Sequence, residues 1–376
     1  MDMENNEGLN CIFDELAESL NISETMRDKA ERAYTALGEW IEDNPEGEAV
    51  EAYTQGSFAL GTVVRPPGGE DLDYDIDLVC QLPGMVENAA KEIKLFVGKR
   101  IREHGTYAKK LCPEGKRCWT LDYGVFHVDV LPCADDSQKG GTAVRLTHKD
   151  PGTGEYSDRY SNPKGYAKWF EERMGDSLTE AKRRYSGRVY CSVEDVPTFA
   201  VRTPLQKAIQ ILKHHRNLMF EGADNAPISI IISTLAAWAY GGERGTYDAL
   251  VGILERMDAH ISGGPGRYRI ANPVDEKENF AEKWNESPEK AAAFFSWLDR
   301  ARKDFRGLSG VRGLDAITRS LEYSCGKAVA SRAMNQYGDR LREARGSSSL
   351  FASSAGLTYA ASPSARAVPR HEFYGA

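Results

Sequence analysis

The chain lacks a long apolar run, an excess of basic charge and any cysteine pair spaced for metal or redox work. Its longest apolar stretch, ISIIISTLAAWAY (residues 228–240), carries hydroxyls and falls short of the ~20 residues a bilayer crossing needs, so it reads as a buried helix. The N-terminus is acidic and polar rather than basic and then apolar, which gives no secretory signal and makes the cytoplasm the expected location. Lysine and arginine total 48 against 56 acidic residues, a net charge of −8. That balance argues against a protein that coats long DNA or RNA, and neither a membrane nor long nucleic acid is an expected partner. Small anionic ligands neutralised by metal stay compatible with it. Seven scattered cysteines without a C-x-x-C pair read as reduced structural thiols, in preference to a zinc site at Cys112 and Cys118.

What is present is an ordinary globular composition, 376 residues and 41% hydrophobic, enough for two domains. Ser23 is placed to cap a helix running to about residue 42, stopped by Asn44-Pro45. From 50 to 150 the pattern changes to short β-type runs, YDIDLVCQL, RCWTLDY and VFHVDVLPC, with one helical pattern at about 84–104. Strand, helix and further strands predict a mixed sheet with helices against it. Beyond Asn162-Pro163 the chain turns helical. TPLQKAIQILKHHRNLMF opens on a capping box, Thr203 to Gln206, with Leu205, Ala208, Ile209 and Leu212 on one face. Another helix starts near Asn225-Ala226-Pro227, and helical patterns cover about 246–261, 288–305 and 314–345. The domains expected are a core over 1–160 with its supporting helix, a helical domain over 161–345 and a flexible tail over 346–376 rich in Ser, Ala, Gly and Pro.

The stretch AYTQGSFALGTVVRPPGGEDLDYDIDLVC (residues 52–80) carries the chemistry. In a strand Asp75 and Asp77 point to one side while Tyr74, Ile76 and Leu78 point to the other. Two carboxylates on one face repel unless a cation sits between them. Magnesium takes oxygen ligands and commonly joins protein carboxylates to substrate phosphates. A third carboxylate is expected on a neighbouring strand, and FHVDVLP offers Asp129. Together they could hold two ions, one activating an attacking hydroxyl and one steadying a leaving pyrophosphate. The Gly56-Ser57 turn supplies backbone amides and a hydroxyl suited to phosphate. Asp73 is assigned to the strand entrance.

These residues resemble the nucleotidyltransferase signature of a Gly-Ser turn, paired aspartates and a later aspartate. QGSFALGTVVRP, SNPKGYAKWF, TPLQKAIQILKHHR, PISIIISTLAA and NPVDEKENFAEKW narrow the resemblance to bacterial CD-NTases, the cyclic GMP-AMP synthase and oligoadenylate synthase-like cyclases of anti-phage CBASS operons. It covers roughly residues 10–345. The resemblance implies an α+β fold, a polymerase-β-like core packed on a helical domain with the nucleotide cleft between them. It implies an enzyme that joins ATP, GTP or other nucleoside triphosphates into a cyclic di- or trinucleotide second messenger and releases pyrophosphate. By position, Asp75, Asp77 and Asp129 match the ligands of two Mg2+ ions, for which Mn2+ can substitute, with Asp129 helping to deprotonate the ribose hydroxyl. Gln55, Gly56 and Ser57 match the phosphate-binding turn, and Lys213 and Ser229 fall near where the family holds the donor triphosphate. Tyr166, Trp169 and Phe170 read as core.

The terminal RHEFYGA resembles the end that, in several such operons, a fused ubiquitin-activating and ubiquitin-conjugating-like enzyme attaches to a target, here through Ala376. Two other readings carry different expectations. A non-cyclising nucleotidyltransferase acting on RNA or protein would leave a linear or attached product. A nucleotide-binding scaffold with weak catalysis would leave none.

Overall fold

A computed structural model describes residues 6–66, 74–189, 192–193, 200–353, 356–359 and 365–369. The chain opens with a helix that the sequence reading passed over, α1 (Glu7–Ser19), whose Leu9, Ile12, Phe13 and Leu16 recur at helical spacing and are buried. In α2 (Glu24–Glu42), Ser23 caps as expected, its hydroxyl accepting from the Met26 amide at 3.3 Å. Then come β1 (Glu51–Gln55), the one-turn helix α3 (Gly56–Ala59), β2 (Asp75–Gln81), α4 (Ala90–Glu103) and α5 (Gly105–Lys110). Four strands follow: β3 (Trp119–Asp122), β4 (His127–Asp135), β5 (Val144–Lys149) and β6 (Tyr156–Ser161).

These six strands form one mixed sheet in the order β1-β2-β4-β5-β6, with β3 also on β4. Only β2 and β4 run parallel, with Asp77 opposite Asp129. Strand alternation sorts the two faces. Ile76, Leu78, Val128 and Val130 turn inward to pack with Met26, Ala30 and Ile41 of α2 and Ile93 and Val97 of α4. Each such aliphatic contributes about 1.5–3 kcal/mol when fully buried. The other face carries Asp75, Asp77, Asp129 and a small apolar patch of Val79, Leu131 and Cys133.

The helical half comprises α6 (Pro163–Met174), α7 (Asp176–Val189), α8 (Pro204–Phe220), α9 (Ser229–Ala239) and α10 (Thr246–Arg256). A short hairpin not expected there, β7 (Ala271–Asn272) with β8 (Asp275–Asn279), precedes α11 (Glu282–Glu286) and α12 (Pro288–Arg306). The single helical pattern over 314–345 is two helices, α13 (Leu314–Cys325) and α14 (Lys327–Gly346), because Gly326 between them takes a φ of +81° that no helix accepts. One apolar core joins α8, α9, α10 and α12 to α1, so the N-terminal helix packs with the helical half. Tyr166 and Phe170 are core residues, the Tyr166 hydroxyl meeting that of Thr234 at 2.8 Å.

Within the last thirty residues, expected to be flexible, the described part is paired instead. Strands β9 (Phe351–Ser353), β10 (Gly356–Thr358) and β11 (Arg366–Ala367) make a small antiparallel sheet, tied back where the Val368 amide donates to the Leu350 carbonyl at 2.8 Å. Small and polar residues obscured that pairing, since the strands are too short to alternate visibly. No helix among the described residues is long and apolar enough to cross a membrane.

Candidate active site

Strand register assembles the site. Across β1, β2, β4 and β3 one row of the sheet reads Gln55, Asp77, Asp129, Thr120. The adjacent row, one alternation along, reads Asp75, His127, Asp122. The sequence reading supplied the aspartates at 75, 77 and 129, and Gln55. It missed Thr120, Asp122 and His127, whose places follow from how β4 pairs with β2 on one side and β3 on the other.

Each carboxylate meets a different environment. Asp129 accepts the Thr120 hydroxyl at 2.5 Å, which fixes its orientation. Asp77 is largely buried; loss of water, with Asp129 and then Asp75 close by, pushes its carboxyl up to about 7. Asp75 is 70% exposed, its Oδ1 3.9 Å from His127 Nδ1, while His127 Nε2 lies 3.7 Å from Asp122 Oδ1. Nearby, burial and Asp129 push the Cys118 thiol up to about 11, so it stays protonated at neutral pH.

Gly56 closes the site from the β1 side. Its φ is +65°, and a β-carbon there would lie 2.4 Å from Asp77 Oδ2. Glycine is required twice over, by the backbone conformation and by the carboxylate that fills the space. Ser57, half-buried, is the second residue of α3, and its carbonyl accepts the Thr62 amide at 2.9 Å.

A seam on α8 holds the next segment. Gln206, Gln210 and Lys213, at i, i+4 and i+7, are all buried. Gln206 Nε2 donates to the Leu60 carbonyl at 2.9 Å and Gln210 Nε2 to the Val63 carbonyl at 2.7 Å. Lys213 Nζ donates to the carbonyl and hydroxyl of Thr62 at 3.2 and 3.0 Å. Burial and the nearby Arg216 lower the Lys213 ammonium to about 7. Lys213 therefore acts here as a bridge between the helical half and the segment after the Gly-Ser turn. Ser229 is the first residue of α9, and its hydroxyl accepts from Arg216 Nη2 at 3.1 Å. Ala376 and Asp73 lie outside the described residues.

The donor set suits a hard divalent cation: oxygen ligands only, with the Asp77 carboxyl raised by burial and then by the neighbouring carboxylates, a cost that a cation would remove. The set is not closed. Among the described residues no three His, Cys, Asp or Glu side chains converge closely enough to hold an ion, and Asp75 is largely exposed.

The Second Messenger Oligonucleotide or Dinucleotide Synthetase domain family matches residues 8–173. The c-di-GMP synthase of Roseivirga ehrenbergii is 30% identical over 343 residues, covering 88% of this chain and 88% of that protein. The chain belongs to the bacterial CD-NTase family. Solved CD-NTases share its fold: CdnG of Bradyrhizobium diazoefficiens, in complex with GTP, superimposes with a TM-score of 0.67 at 20% identity, over 88% of this chain and 99% of that one. The cyclic AMP-GMP synthase DncV of Vibrio cholerae, with a nonhydrolyzable GTP, gives 0.54 at 15% identity, over 86% and 89%. The architecture is thus the α+β one expected of a CD-NTase, a polymerase-β-like core against a helical domain. The chain is a nucleotidyltransferase of the cyclic oligonucleotide synthase type, and metal dependence belongs to that family.

Proposed function

We propose that this CD-NTase makes a cyclic dinucleotide second messenger with GTP among its substrates, in the cytoplasm, as part of anti-phage defence. The observation that carries the site is the row Gln55, Asp77, Asp129, Thr120 with Gly56 pressed against Asp77. The guanine preference is supported by the c-di-GMP synthase relative, aligned over 88% of both chains.

In this reading Asp75, Asp77 and Asp129 would hold two Mg2+ ions, for which Mn2+ could substitute. When bound, the ions neutralise phosphate charge and lower the pKa of the attacking hydroxyl. The Gly56-Ser57 turn approaches the donor triphosphate, the missing β-carbon leaving room for both Asp77 and phosphate. Asp129 keeps one oxygen occupied by Thr120, which leaves the other to take the proton of the acceptor ribose hydroxyl. The ribose oxygen then attacks the α-phosphorus, and the bond from that phosphorus to the oxygen bridging it to the β-phosphate breaks to release pyrophosphate. Most of the rate comes from orientation and charge neutralisation rather than covalent work by the protein. Lys213, with Ser229 and Arg216, keeps the donor side of the cleft in shape.

The test is incubation with all four nucleoside triphosphates and Mg2+, phosphatase treatment and mass spectrometry of what survives. A phosphatase-resistant cyclic guanine dinucleotide, absent with Asp77→Asn, is the expected result. Only linear products would sink the reading.

A further inference from the structure

On the side of α8 that carries His214, a second cleft of about 170 Å³ opens between α8, the start of α14 and Arg65. The charged groups on its wall are all cationic: Arg65, Lys327 and Arg332. Neither Lys327 nor Arg332 has a carboxylate partner among the described residues, and Arg332 Nε and Nη2 are buried there without a hydrogen-bond partner. Residues 327–329, the first turn of the 20-residue α14, also line it, and Gly326 supplies no side-chain cap. Uncapped first-turn amides at the positive end of a helix dipole favour an anion.

His214 gives the cleft a more particular demand. It is 2% exposed, and its Nε2 is 2.8 Å from the Cys325 carbonyl, which can only accept. Nε2 therefore carries the hydrogen and Nδ1 presents a lone pair, with no partner among the described residues. Burial holds the ring below its ordinary pKa and so neutral, against the opposing pull of the Cys325 carbonyl, with His215 and Arg332 adding smaller pushes in the same direction as burial. A fully ionised anion satisfies the cations and leaves Nδ1 unmatched. A phosphate bearing one P–OH satisfies both, donating to Nδ1 and accepting from the helix amides and Arg332.

We propose that this cleft binds a hydrogen-phosphate group, supplied as inorganic phosphate or as the phosphomonoester of a nucleotide, at the α13–α14 junction and apart from the catalytic carboxylates. Nothing in the proposed reaction uses it. Its links to that chemistry are His214, next to Lys213 on α8, and Arg65, three residues beyond Thr62.

The test is calorimetric titration of the full chain, without divalent metal and at neutral pH, with inorganic phosphate, AMP and sulfate in turn. A Ser57→Ala background reduces binding at the catalytic turn. Phosphate is expected to bind about tenfold more tightly than sulfate, and Arg332→Gln is expected to weaken it about tenfold, as loss of a charge-assisted hydrogen bond does. Lys327→Gln, at an exposed position, serves as a second variant and should weaken it in the same direction. Saturation by phosphate identifies the free ion as sufficient, and saturation by AMP alone identifies a nucleotide's phosphate as the ligand. Binding unchanged in both variants, or no binding of either ligand at tens of millimolar, overturns the site. Equal affinity for sulfate overturns the part given to His214.

Discussion

Asp77 fills the space that a side chain on Gly56 would need: the β-carbon of an alanine there would fall 2.4 Å from Asp77 Oδ2. The turn and the carboxylate therefore constrain each other. Gly56→Ala should displace Asp77 as well as strain a backbone at φ +65°. A stability loss of roughly 1–2 kcal/mol is expected, with a fall in kcat of about 10²-fold or more. Denaturant melts and turnover on the same preparation check both. A variant with normal turnover would remove Gly56 from the site.

Asp77 couples the site to pH. Its folded-state carboxyl is raised to about 7 from an ordinary 3.8, by burial and then by Asp129 and Asp75. A raised carboxyl pKa means the folded state holds the proton more tightly, so metal-free stability is greatest below the unfolded pKa and is lost as pH rises towards 7. Asp77→Asn removes that loss. The variant should gain on wild type between pH 4 and pH 7, by up to about 4 kcal/mol, while losing activity. Thermal melts in chelator across that range test it, and a constant difference would refute the coupling.

Lys213 has the opposite sign. Its ammonium is depressed from an ordinary 10.5 to about 7 by burial and Arg216, so stability is lost as pH falls from 10.5 towards 7, and the loss is complete below 7. Lys213→Met should be more stable relative to wild type at pH 6 than at pH 9. It should still lose turnover, because Thr62 is no longer held. Melting temperatures at the two pH values, paired with turnover, separate these effects.

Gln210 donates to both Val63 and Asn21, at 2.7 and 2.8 Å. Gln210→Leu leaves those acceptors without that donor inside the protein, which should cost about 1–3 kcal/mol. Gln210→Glu restores the shape without the donor, and Gln210→Asn is too short to reach. A larger fall in kcat than in stability, for both Leu and Glu, is the expected pattern.

Much of this was readable in the sequence because it was local. The alternation around Asp75 and Asp77 and the caps at Ser23, Asn162 and Thr203 depend on residues a few positions apart. The fold-back that sets Thr120 beside Asp129 depends on a pairing that no local pattern records. The α8 seam stayed hidden for a different reason. Glutamine and lysine among apolar residues suggest a solvent-facing side, yet Gln206, Gln210 and Lys213 are buried because unpaired carbonyls of residues 60–63 face them. The helix missed at the N-terminus, α1, has its apolar residues interrupted by Asn10, Cys11, Asp14 and Glu15, which blurred its stripe.

The seam also gives α8 the character of a shaft with two ends of a linkage bolted to it. Residues 60–63 are fastened at three points spread over seven positions, about 10 Å of helix. That span resists rocking of the segment on the helix, so it must travel with α8 as a passenger. His214, next to Lys213, is bonded to the α13 terminus at Cys325. A rotation of α8 by a few degrees, from whichever side it is driven, would therefore be delivered at Ser57 as a sideways step.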